Sequence, residues 1–262
     1  MKLAKKTADW DPQLYLKYKN ERTQPSIDLV SRIEVNEPAA IIDVGCGPGN
    51  STRIVSRRWP GSAITGLDSS PAMIEKAKSD YPDQEWILSD IRTYEFTAAY
   101  DVVFSNSAIQ WVPDHENLIP ALFGAVKKNG ALAVQIPKFR DIPLGKLLGR
   151  IAATMKWEAL TRGCGDLFTY HDHGFYYEIL SRLTGRIDIW ETSYIHVMDS
   201  RESILEWSRS TGMRPYLDRL GNDEARNEFD RDVLAEIKKH YPARQNGKVL
   251  LPFKRLFFIA YA

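Results

Sequence analysis

Cysteine is scarce in this chain, with only Cys46 and Cys164 among 262 residues. Two thiols cannot by themselves hold a metal cluster, and they fit a reduced, cytoplasmic setting. A charge bias is missing too. The 35 Lys and Arg residues balance 34 Asp and Glu residues, leaving a net charge of +1. Without a basic surplus there is no footprint for a polyanion, so nucleic acid is not the expected partner. No apolar run is long enough to span a bilayer. The basic opening "MKLAKKTADW" is followed by no apolar stretch, so it does not read as a signal peptide. No repeat or low-complexity tract stands out. What remains is 44% hydrophobic and 26% charged, the balance of a globular chain. Its length suits one well-packed core, or one domain carrying a smaller lobe.

The first half alternates strand-like and helix-like segments. "AAIIDVG", "AITGLD", "EWILSD", "YDVVFSNS" and "ALAVQIP" read as strands. Between them, "STRIVSRRW", "SPAMIEKAKSDY" and "HENLIPALFGAVKKNG" read as helices. Ser70 is placed to cap the second, with Pro71 in its first turn. Gly130, after two lysines, is expected to close the third. This alternation predicts an α/β fold with a parallel sheet and helices on both faces. The second half is different. Residues 139–183 and 200–246 are helix-rich, while "RIDIWETSYIHVM" and "KVLLPFKRLFFIAYA" read as two late, antiparallel strands. The expected organisation is one domain over 1–262. Its sheet core spans about 30–138, 184–199 and 247–262. The helical stretches would form a lid over the carboxyl edge of the sheet, where open α/β sheets bind ligands.

Three glycines, Gly45, Gly47 and Gly49, follow the first strand directly. Such a turn lets backbone approach a ligand closely. The spacing is not G-x-G-x-x-G, and no Lys-Ser/Thr ending follows, so it is not a phosphate loop. Asp43 at the strand end would repel a pyrophosphate and suit a cation. Further acids end the next two strands, Asp68 the second and Asp90 the third. Asp68 could accept two ribose hydroxyls, and Asp90 could accept an adenine amine. Asn106 ends the fourth strand. Acids can also cap strands without any ligand, but this set follows a glycine turn.

Together "DVGCGPGNST", "ITGLDSSPAMI", "SDIR" and "SNSAIQWVPDH" resemble the successive motifs of class I S-adenosylmethionine-dependent methyltransferases. The resemblance covers the first 140 residues or so. It implies a Rossmann-like, seven-stranded sheet with its last strand antiparallel, carrying helical lid insertions. It also implies S-adenosylmethionine as cofactor and no metal. By that pattern Gly45, Gly47 and Gly49 lie against the cofactor's amino-acid part, with Asp43 near its ammonium. Asp68 would hold the ribose, Asp90 and Ile91 would meet the adenine, and Ser69, Met73 and Asn106 would complete the pocket.

The similarity narrows further. "DWDPQLYLKYKNERTQPSIDLVSRI", "SAIQWVPDHENLIPAL", "STGMRPYLDRL" and "LPFKRLFFIAYA" are similar to the trans-aconitate methyltransferase family along nearly the whole chain. That resemblance implies methyl transfer to a carboxylate of a small tricarboxylate. The amino-terminal "MKLAKKT" and the stretch "TRGCGDLFTYHDHG" depart from it.

A carboxylate acceptor is ionised near neutral pH and needs no general base. The site instead needs cations and aromatics. Arg22, with Tyr18 one helical turn before it, is a candidate in a cap formed by residues 1–29. Gln110 and Trp111 follow the fourth strand. Arg214 and Arg255 are the other candidates for holding substrate carboxylates. Tyr194 and His196 share a strand face, which is either pocket or packing. His171 and His173 in "YHDH" read as loop rather than metal site. Two rivals stay open at this point: methylation of another small acid, amine or hydroxyl, and a non-catalytic S-adenosylmethionine binder with a protein partner. A monomer is favoured.

Overall fold

A computed structural model describes residue 10, residues 18–96 and residues 99–262 of the chain. Strands β1 (Ala40–Val44), β2 (Ala63–Asp68), β3 (Glu85–Leu88), β4 (Tyr100–Asn106), β5 (Val126–Pro137), β6 (Ile187–Met198) and β7 (Val249–Tyr261) form one sheet. Their order is β3-β2-β1-β4-β5-β7-β6. β1 to β5 pair in parallel, and β7 runs antiparallel to β5, with Ala131 opposite Tyr261 and Pro137 opposite Arg255. The expected α/β, Rossmann-like sheet of seven strands is therefore the fold.

Helices α1 (Lys19–Arg32), α2 (Asn50–Arg58), α3 (Pro71–Asp80) and α4 (His115–Gly124) belong to the parallel half. At α3, Ser70 Oγ accepts from Met73 N and Pro71 opens the first turn, as the sequence predicts. β1 and β4 are buried almost throughout, because helices cover both faces of a parallel sheet. Ile42, Val103, Leu132, Leu256 and Phe258 form the centre of the core.

α4 ends earlier than the helical pattern implies. It stops at Gly124, and Lys127 to Gly130 already belong to β5. Tertiary pairing decides this boundary. Val126 pairs with Tyr100, and Lys127 Nζ bonds Asp101 Oδ2 at 3.1 Å. Gly130 passes so close to the Asp101 carbonyl that a Cβ there would lie 2.5 Å from its oxygen. That glycine serves strand packing and not a helix cap. β3 is also shorter than expected, ending at Leu88, so Asp90 lies in the following loop.

The chain falls into two compact units. One comprises the described residues of 10–137, 168–192 and 255–262. It holds β1 to β5, α1 to α4, α7 (His173–Leu180) and the adjoining parts of β6 and β7. Residues 168–183, expected with the helical lid, therefore group with the sheet. The other comprises 138–167 and 193–254. It contains α5 (Pro143–Ala152), α6 (Glu158–Thr161), α8 (Arg201–Arg209), α9 (Arg214–Arg219) and α10 (Asp223–His240). Within it, Trp157 packs edge-on against Phe229 and donates to Asp232 Oδ2. Lys156 bridges Glu228 and Asp232. The expected cap over residues 1–29 lies largely outside the described residues; of it, residues 10 and 18–29 are described.

Candidate active site

The carboxyl ends of the parallel strands open onto a concave cavity, the form of site that takes a small-molecule ligand. It lies within the sheet unit, at the edge where such sheets bind ligands.

One side is the turn after β1. Gly45 N and Cys46 N both donate to the Leu67 carbonyl, at 2.7 and 3.0 Å, so the turn is pinned across β2. Gly45, Gly47 and Gly49 all have positive φ, of 75°, 54° and 88°. Their surroundings differ. A Cβ on Gly45 would lie 2.1 Å from the Ala108 side chain, and one on Gly49 would meet Trp86 and Tyr81 at 2.8 Å. A Cβ on Gly47 meets nothing within 4 Å. Gly45 and Gly47 line the cavity, while Gly49 is needed for packing at the start of α2.

Asp68 ends β2 on the cavity wall. Its Oδ2 accepts from Gly47 N and its Oδ1 from Ser70 N, each at 2.9 Å. The carboxylate is thereby held in a fixed orientation on the cavity wall. Ser69, Met73, Ser89, Asp90 and Ile91 continue the lining. Asp90 is gripped by the Arg92 guanidinium, which holds its carboxyl below the usual range despite partial burial.

Asp43 sits beneath this floor and does not line the cavity. It is fully buried, and its Oδ2 accepts from Ser51 Oγ and Thr52 Oγ1, both at 2.6 Å. Its Oδ1 has no hydrogen-bond partner among the described residues. Burial pushes its pKa up to about 6, more than the two hydroxyls lower it. A buried carboxylate with an open acceptor is a site that a nearby ligand cation would settle.

The other side follows β4. Asn106, Ser107, Ala108, Ile109, Trp111 and Val112 line it, with Trp10. Asn106 Oδ1 is buried without a partner among the described residues. Ser107 adopts φ 56°, unusual for a residue with a Cβ. Four bonds hold it there. Its N donates to the Gln135 carbonyl, and its Oγ donates to Gln135 Oε1 at 2.6 Å. Its Oγ accepts from Arg255 Nη1 at 3.0 Å, and its carbonyl accepts from Gln110 Nε2 at 2.7 Å. Trp111 stands between Trp10 and Phe168, with ring centroids 5.3 and 4.6 Å away.

Of the expected site residues, the cavity brings together Gly45, Gly47, Asp68, Ser69, Met73, Asp90, Ile91, Asn106 and Trp111. Arg255 and Gln110 stand behind the wall, both buried and both bonded to Ser107. Tyr18 and Arg22 bury side by side at the start of α1, where Arg22 N donates to the Tyr18 carbonyl, and neither lines the cavity. Arg214 belongs to the other unit, where its Nε faces Asp218 at 3.6 Å. So do Tyr194 and His196, whose rings are stacked. Among the described residues no group of three or more His, Cys, Asp or Glu is arranged to hold a metal. No described helix is long and apolar enough to cross a membrane.

Sequence reasoning missed Ser107, Gln135 and Arg92. Arg92 lay inside the quoted "SDIR", two residues after an acid, which is within reach of a guanidinium. Ser107 and Gln135 come together only through the β4–β5 register.

Comparison with known proteins gives three findings. A methyltransferase domain family model matches residues 42–134. Trans-aconitate 2-methyltransferase of Enterobacter sp. (strain 638) is 40% identical over 255 residues, covering 97% of this chain and 98% of that protein. The enzyme of the same name from Variovorax paradoxus (strain S110) is 40% identical over 258 residues, covering 96% and 98%. Among solved structures, the YcgJ protein of Bacillus subtilis shares the fold, with a TM-score of 0.58 at 14% identity over 91% of this chain and 98% of that one.

Proposed function

The chain belongs to the trans-aconitate 2-methyltransferase family of S-adenosylmethionine-dependent methyltransferases, and on that premise we propose that it esterifies one carboxylate of trans-aconitate. The observation that carries this reading is the cavity itself. Acids and a glycine turn form one side, and aromatic and arginine-backed residues form the other.

The residues fit the cofactor. Asp68 presents both carboxylate oxygens, oriented by Gly47 N and Ser70 N, a match for two neighbouring ribose hydroxyls. Asp90, oriented by Arg92, and Ile91 suit the adenine edge. Gly47 leaves room for the amino-acid part, and Asn106 Oδ1 is an open acceptor for its ammonium. Asp43 adds negative charge below the same turn. When bound, S-adenosylmethionine supplies a sulfonium methyl, whose transfer to a carboxylate consumes one cation and one anion and moves no proton.

The protein's task is therefore placement and exclusion of water, not acid–base work. Trp111, braced by Trp10 and Phe168, gives the reacting end an aromatic wall that favours a cation. Arg255 puts a permanent positive charge behind Ser107, on the side where an anion would sit. Ser107 can present only its remaining lone pair, since Gln135 takes its proton. Tyr18 and Arg22 stand as candidates for the remaining substrate carboxylates.

A cytoplasmic setting belongs to this proposal and suits the free thiols of Cys46 and Cys164. So do a monomeric state and the lack of a nucleic-acid partner, which the net charge of +1 supports. A lid role for the helix-rich residues 139–167 and 200–246 belongs to the proposal as well, and its test is protease protection of those segments on binding S-adenosylhomocysteine. The activity is tested with methyl-labelled S-adenosylmethionine and a panel of trans-aconitate, cis-aconitate, citrate and isocitrate. Labelled trans-aconitate that releases methanol in mild alkali is the expected result. Cofactor binding with no labelled acid would mean a different acceptor.

A further inference from the structure

His115 and Tyr176 lie 61 residues apart in the chain, yet each is fully buried and they bond at 2.7 Å. The imidazole's other nitrogen, Nε2, lies 2.9 Å from the Ile109 carbonyl. A carbonyl only accepts, so Nε2 carries the proton and Nδ1 is the acceptor. Tyr176 must then donate its hydroxyl to Nδ1, while its Oη accepts from His171 N at 3.4 Å. The network has one consistent direction: His171 N–H to Tyr176, Tyr176 to His115, His115 to Ile109.

This network ends on the cavity. Ile109 and Trp111 are the lining residues of a short 3-10 turn, Ile109–Trp111. The turn lies between two non-glycine residues of positive φ, Ser107 at 56° and Asp114 at 61°. Backbone of this kind persists only where its surroundings hold it. Segment 168–176 supplies much of that hold. Thr169 N donates to the Gln110 carbonyl at 2.8 Å, and Phe168 packs on Trp111 at 4.6 Å. Tyr176, stacked on Phe258, acts through His115 on the Ile109 carbonyl.

We infer that His115 and Tyr176 are positioning residues: through a neutral imidazole they fix the turn that carries Ile109 and Trp111, and so the aromatic wall of the acceptor half. This inference rests on the functional reading above. It gives a purpose to the "YHDH" region. That region holds the backbone donor of His171 and leads into the helix that carries Tyr176.

Tyr176→Phe is the informative variant, because it keeps the ring and its packing and removes only the hydroxyl. Three results are expected together. The KM for trans-aconitate rises about fivefold to tenfold, the scale of one lost buried hydrogen bond. The dissociation constant of S-adenosylhomocysteine stays within about twofold, since no contact near Asp68 changes. The indole N–H resonance of Trp111, assigned through Trp111→Phe, shifts more than those of the other tryptophans. A lower melting temperature with unchanged KM and an unmoved Trp111 resonance would overturn the inference, reducing the pair to core packing. His115→Gln retains an N–H for the Ile109 carbonyl and is expected to keep KM closer to wild type than His115→Ala does. Equal damage in both would also overturn it. If the wild-type protein binds S-adenosylhomocysteine but methylates no carboxylate, the functional reading alone fails. The Trp111 resonance then still decides the role of the pair.

Discussion

On the glycine-turn side of the cavity, Gly45, Gly47 and Asp68 belong to one strand–turn–helix–strand unit, with Asp68 only 21 residues beyond Gly47. On the β4 side, Ser107 is held by Gln135 and by Arg255, 148 residues away, and Ile109 is held by His115 with support from Tyr176. The first side is local in sequence and built largely from backbone donors and strand-end acids. The second is assembled by sheet register and by an antiparallel last strand. Geometry that serves a common cofactor can live in a short motif. Geometry that serves a particular acceptor draws on the whole fold. If so, lesions on the two sides should separate cleanly into cofactor and acceptor effects.

The largest effect is expected from Asp68→Ala. It removes two charge-assisted acceptors and leaves Gly47 N and Ser70 N without them. Calorimetry should show S-adenosylhomocysteine bound at least about a hundredfold more weakly, ~2.7 kcal/mol. Retained affinity would place the ribose elsewhere.

Asp43→Asn acts on stability more than on binding and has a pH signature. The folded pKa of about 6 lies above the ordinary 3.8, so the folded state holds its proton more tightly than the unfolded chain. The stability tied to that proton is fully present below about pH 4 and is lost as pH rises through 6, a change of about 3 kcal/mol. The Asn variant cannot ionise. Its melting temperature should therefore gain on wild type between pH 4 and 7, while its cofactor affinity falls. Parallel melting curves across that range would contradict the burial argument.

Arg255→Ala sharpens the comparison from the other side. It should cut kcat/KM for trans-aconitate by about thirtyfold, ~2 kcal/mol, with the S-adenosylhomocysteine dissociation constant little changed. An equal loss of cofactor affinity would break the division into two sides. The smallest expected effect is Gly47→Ala. Its Cβ meets no protein atom, so the cost is the positive φ, about 1 kcal/mol, plus crowding of the ligand. Fivefold to tenfold weaker cofactor binding, with a melting temperature near wild type, is expected.

The same division explains what could be read from sequence. Strand periodicity, Ser70 with Pro71, and the glycine turn each draw on neighbours within a few residues, so the parallel sheet and the acids at or near its edge were legible. Asp43 was read as lying near the cofactor's ammonium because its place beside the turn is visible, whereas its depth below the floor is not. The end of α4 was misplaced because Lys127 and Gly130 answer to Asp101 across the sheet. Arg255 was read as a substrate arginine from residue type. Its bonds to Ser107 and Gln135 depend on a register that only the folded sheet supplies. The His115–Tyr176 pair left no sequence signal, since each residue alone looks like ordinary core.

The most direct test is a crystal structure with S-adenosylhomocysteine and trans-aconitate bound together. The account predicts ribose hydroxyls on Asp68, adenine against Asp90 and Ile91, and the sulfur facing the Trp111 side with a substrate carboxylate oxygen beside it. An acceptor bound away from Trp111 and the Ser107–Arg255 pair, or a nucleoside turned away from Asp68, would contradict it.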